Sequence, residues 1–78
     1  MSDLQQELEH LALADQHLSE GVRCVAEQIT RIQRMKEQGY DTTVALMMLK
    51  AKEQTLVEWQ EHRLHIRNAI ARMERSAL

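Results

Sequence analysis

The sequence predicts an all-α protein: an antiparallel two-helix hairpin of coiled-coil type that pairs with a second copy into a four-helix bundle. Three observations predict it. Two long stretches carry apolar residues in the same three-four rhythm. Laying one back on the other matches their layers, with facing residue numbers that sum to 81, so that Leu4 meets Ala77 and Ile32 meets Leu49. The composition, 44% hydrophobic and 28% charged with no Pro, no Phe and two Gly, suits helices rather than sheets or disorder. The whole chain, residues 1–78, reads as one hairpin domain with a helix over 3–38, a turn at 39–41 and a helix over 42–76.

The first helix opens on a capping box, Ser2 with Gln5 three residues on. Its expected seam is Leu4, Leu8, Leu11, Leu18, Val22, Val25, Ile29 and Ile32, with Asp15 and Lys36 in the same frame. Gly39 ends it, because the residue after a helix often needs the left-handed conformation that glycine adopts freely. Tyr40 is expected to fold back on the last turn, and Asp41 or Thr42 to cap the next helix. The second helix answers with Ala45, Leu49, Leu56, Trp59, Ile66, Ile70, Met73 and Ala77, and with Lys52 and Arg63 in the same frame. Lys36 and Lys52 are expected to lay their stems on apolar neighbours and reach water with their ammonium groups.

Asp15 and Arg63 fall in adjacent layers and are expected to form a core ion pair, since an unpartnered buried charge is costly. The net charge is -2. Acidic Asp3, Glu7, Glu9, Asp15 and Glu20 precede any Lys or Arg, while Arg63, Arg67, Arg72 and Arg75 crowd the far end of the second helix. Antiparallel folding lays these segments side by side, so the asymmetry is read as internal complementarity that also suits both helix dipoles.

Two flanks adjoin the seam. Ala12, Ser19 and Ala26 with Leu46, Val57, Leu64, Ala71 and Leu78 form an apolar strip of mostly small residues on helix one, expected to be a homodimer interface. The other flank gathers His10, His17 and Cys24 with Glu58, His62 and His65. His17, His62 and His65 are the candidates for a metal site, though the expected state is metal-free, because outer wheel positions diverge and no fourth ligand is fixed. Cys24 has no second cysteine to bridge within the chain, which suits a reducing compartment.

Residues 18–63 resemble a group of small uncharacterised proteobacterial helical-hairpin proteins in the run Glu20-Gly21-x-Arg23, then Gln28, Gly39-x-Asp41-Thr42 and Glu61-His62-Arg63. Val22 and Cys24 stand where that resemblance leads one to expect Arg or Glu. The resemblance implies a bacterial helical hairpin with no assigned activity.

No nucleophile, second acid or phosphate loop accompanies Asp15, so no catalytic residue and no cofactor are expected. The functional reading is a non-enzymatic interaction or regulatory module: a cytoplasmic homodimer that docks to a protein partner, with exposed Leu13 and Met47 as apolar hints. The first alternative is RNA binding, since a dimer of hairpins resembles the plasmid regulator Rop. Arg31, Arg34, Lys50 and Lys52 would then meet phosphate, although Glu27, Glu37, Asp41 and Glu53 interrupt them, so nucleic acid is not the expected partner. A His-rich metal-binding bundle is the other alternative. No run is long and apolar enough to span a membrane, and the start Met1-Ser2-Asp3 lacks the features of an export signal.

Overall fold

The computed structural model describes residues 2–76. They form two long helices, α1 over Asp3–Glu37 and α2 over Thr43–Ser76, packed antiparallel in a rod 61 Å long and 15 Å across. No helix of the described residues is long and apolar enough to cross a membrane.

Local chemistry sets each boundary. The Ser2 side chain accepts a hydrogen bond from the Gln5 backbone N–H at 3.1 Å, satisfying one of the unpaired donors of the first turn. At the other end Gly39 takes φ +77, and the Tyr40 and Gly39 N–H groups donate to the Met35 and Lys36 carbonyls at 2.9 and 3.1 Å. These two bonds make a Schellman cap. Thr42 then caps α2 through its carbonyl, which accepts from Leu46 N–H at 2.9 Å. The Asp41 carboxylate accepts from both the backbone N–H and the hydroxyl of Thr43, at 2.9 and 2.7 Å. These bonds hold the Asp41 carboxyl below its ordinary range. The connection, residues 38–42, is thus closed by Gly39 at the end of α1 and by the Asp41 carboxylate at the start of α2.

The seam of α2 is the one expected, with Ala45, Ile66 and Ile70 buried and Leu49, Lys52, Leu56, Trp59, Arg63 and Met73 half-buried. Ala77, the seam residue expected beyond Met73 and opposite Leu4, lies outside the described residues. The seam of α1 differs. Leu4, Leu11, Leu18, Val25 and Ile32 face α2, but the alternate positions are Glu7, Ala14, Gly21, Gln28 and Met35. Leu8, Val22 and Ile29 are exposed, Val22 to 55%, and so are Asp15 and Lys36. The helix is turned one residue from the frame that hydrophobicity alone selects.

Shape and charge explain the turn. Opposite the bulky α2 residues, α1 offers its smallest ones: a Cβ on Gly21 would lie 3.0 Å from Leu56 Cδ1 and 3.3 Å from Trp59 Cζ3. The rejected frame would also bury the Asp15 charge mid-seam, whereas the adopted one buries neutral Gln28, and desolvating an ion costs far more than desolvating an amide. Gln28, 3% exposed, donates to the Ala45 carbonyl at 3.0 Å and accepts from Lys52 Nζ at 3.1 Å. Lys52 therefore ends on a seam amide rather than simply reaching water. At the open end Ala14, Ile66 and Ile70 form a small core on which Leu4 and Leu11 pack.

Candidate functional site

In an antiparallel pair, residues just after the seam on both helices fall on one side of the hairpin and residues just before it on the other. The turn of α1 therefore moves Leu8, Val22 and Ile29 onto the side that carries Leu46, Val57 and Leu64. All six are exposed, Leu8 to 48% and Leu64 to 57%. Ala12, Ser19, Ala26 and Ala71 lie exposed among them, while Leu78 lies outside the described residues. The strip expected from sequence is thus present and broader, because three large side chains assigned to the seam belong to it.

Arg63 and Asp15 do meet, Arg63 Nε donating to Asp15 Oδ1. The pair is not in the core, since the Asp15 side chain is 51% exposed. Within one hairpin it is a solvent-screened bridge worth about 0–1 kcal/mol, not a buried lock. The polar group that does sit inside the seam is Gln28, which hydrophobic patterning passes over. Its signal was the unbroken three-four rhythm of Leu4, Glu7, Leu11, Ala14, Leu18, Gly21, Val25, Gln28, Ile32 and Met35, interleaved with the frame of larger residues.

The opposite side carries a groove of about 330 Å³ floored by Gly21, Leu56 and Trp59, with Cys24, Ala51 and Thr55 on its walls. Cys24 is exposed. Toward the open end a hollow of about 100 Å³ is lined by His10, Leu13, Ala14, His17 and His62. The candidate trio His17, His62 and His65 is not gathered at one point. His65 does not reach the hollow, and the His17 ring instead stacks on Trp59, with centroids 5.4 Å apart and planes tilted 36°. His10 Nδ1 lies 3.7 Å from Glu7 Oε1. Among the described residues no three His, Cys, Asp or Glu side chains come together as a metal-holding group. On the outer side of α1 a wider trough of about 480 Å³ has Arg23, Arg31 and Arg34 with Lys52 around Glu27 and Gln28.

The geometry defines a class of molecule, an all-α helical hairpin. The chain matches no known protein family, no curated protein and no solved structure with which it was compared.

Proposed function

We propose that this chain is a non-enzymatic interaction module whose working form is a homodimer of hairpins in the bacterial cytoplasm. The observation that supports the reading is the face formed by Leu8, Val22, Ile29, Leu46, Val57 and Leu64. Single exposed apolar residues are ordinary, but six large ones along one face of a rod are a surface that water penalises. Area points the same way. The hairpin exposes 6154 Å², whereas a compact monomer of 9.1 kDa exposes about 4,900 Å². The excess, about 1,250 Å², exceeds the roughly 800 Å² that each partner contributes to a standard interface. Pairing on this face leaves the Trp59 groove and the histidines outward, free to meet a protein partner.

Sedimentation of the wild type beside Leu64→Glu tests the reading. A wild-type dimer and a monomeric or unfolded variant are expected, since an unpaired charge in the contact is costly. A fully helical wild-type monomer at micromolar concentration would overturn it.

A second reading, RNA binding, is favoured by the four cations Arg23, Arg31, Arg34 and Lys52 around one trough. Phosphate contacts would make such binding weaken steeply with salt. Retention of RNA that falls steeply with added salt, and that is lost in Arg31→Ala with Arg34→Ala, would promote this reading over the first.

A further inference from the structure

We infer that the groove over Trp59 and the cationic trough beside it form one binding site for a small amphipathic anion, its apolar chain over Trp59 and its charged head between Lys52 and Arg31. The inference goes beyond the homodimer reading and does not depend on it, since the groove lies on the opposite side of the rod from the apolar face.

The two hollows are continuous because Lys52 lines both. Half-buried Leu56 and Trp59 floor the first, an apolar surface that a hydrocarbon chain would take out of water. Its volume, about 330 Å³, falls in the range of small-molecule sites. The floor is short. It runs from Trp59, where the His17 ring stacks, to Lys52, about 10 Å along α2 from the helical rise. A partner helix anchors along an apolar stripe of several turns, whereas Glu20 and Lys52 close this groove at its two ends, so it suits a short chain.

Charge orients the occupant. Glu20 lies at the Trp59 end, next to Gly21 in the chain, and repels an anion there. Lys52 stands at the other end, half-buried, its Nζ donating at 3.1 Å to the buried Gln28 amide. That partner is neutral. Among the described residues the ion pairs are Arg63 with Asp15 and His10 with Glu7, so Lys52 is partly desolvated with no carboxylate beside it. Beyond it the trough carries Arg23, Arg31 and Arg34 against one acid, Glu27. An anionic head at Lys52 gains a charge-assisted hydrogen bond where the amine is already held in place.

Decanoate, kept below the concentration at which it forms micelles, is the probe, and Trp59 is the reporter because it is the single tryptophan of the chain. A saturable change in Trp59 emission with one site per chain is expected, whether the protein sediments as monomer or dimer, together with slower alkylation of Cys24 on the groove wall. Lys52→Gln, which keeps an amide to meet Gln28, should weaken decanoate about tenfold and leave the weaker binding of uncharged decanol unchanged. Arg31→Gln, at an exposed position, should weaken decanoate with no change in melting temperature. Ala51→Phe, also at an exposed position, should fill the groove and abolish binding of both. Decanoate and decanol bound equally well, binding that does not saturate, or full binding to a folded Ala51→Phe would each overturn the inference. An unchanged Trp59 spectrum with Cys24 unprotected would do the same.

Discussion

At the residue scale, Gln28 does what sequence assigned to Asp15 and Arg63. Its amide is the polar group enclosed by the seam, with both ends hydrogen-bonded. Removing the side chain as Gln28→Ala leaves a void and releases Lys52, and is expected to cost about 1–3 kcal/mol. Gln28→Leu should be neutral or stabilising, because Lys52 can turn to water and the space stays filled. Thermal melts of the two variants check this, and equal destabilisation by both would mean that the amide bonds themselves carry the energy. Asp41 supplies the pH dependence. Its folded carboxyl titrates below its unfolded value because Thr43 donates to it twice. The stability it contributes is therefore present above the unfolded value and is lost as pH falls through the folded one. Acidification should lower the wild-type melting temperature more than that of Asp41→Asn, and parallel pH curves would contradict that assignment.

Among elements, the turn and α1 make opposite demands on glycine. Gly39 has positive φ and nothing near the position of a Cβ, so Gly39→Ala meets backbone strain alone and should cost about 1 kcal/mol. Gly21 has ordinary helical backbone but no room. Gly21→Leu should separate the helices at Trp59 and cost about 1–3 kcal/mol by overpacking, visible as a lower melting temperature and a shifted Trp59 emission. The helix ends, Ser2, Gly39 and Asp41 were legible in sequence because caps act within a few residues. The frame of α2 was legible too, since its large residues are its seam. In α1 two interleaved frames both run unbroken, and hydrophobicity favours the one with Leu8, Val22 and Ile29. Choosing the other needs the shape of the opposing surface: Gly21 and Ala14 matter for what they lack, and Trp59 is 38 positions away in the chain. For the same reason the breadth of the apolar face was hidden until the seam was known, while its core of Leu46, Val57 and Leu64 was visible.

For the whole molecule, length governs. A radius of gyration of 17.8 Å, against about 12 Å for a compact chain of this size, leaves little interior to hold the fold. Unfolding of a homodimer is coupled to dissociation, so the melting temperature should climb with protein concentration, and Leu64→Glu should abolish the climb. A concentration-independent wild-type midpoint would contradict the coupling. The short connection closed at Gly39 and Asp41 also orders events in time. Ile32 and Leu49, beside the turn, are joined by a short loop, whereas Leu4 and Met73 are joined by nearly the whole chain, and closing the longer loop costs more entropy unless the layers between have already formed. The hairpin should therefore zip from the loop outward. Gly39→Ala should slow refolding with little change in the unfolding rate, whereas Ile70→Val should speed unfolding and leave refolding almost untouched. Stopped-flow traces that reverse this assignment would place the nucleus at the open end. On this pathway Gly39 sets how fast the rod is built, and Ile70 how long it lasts.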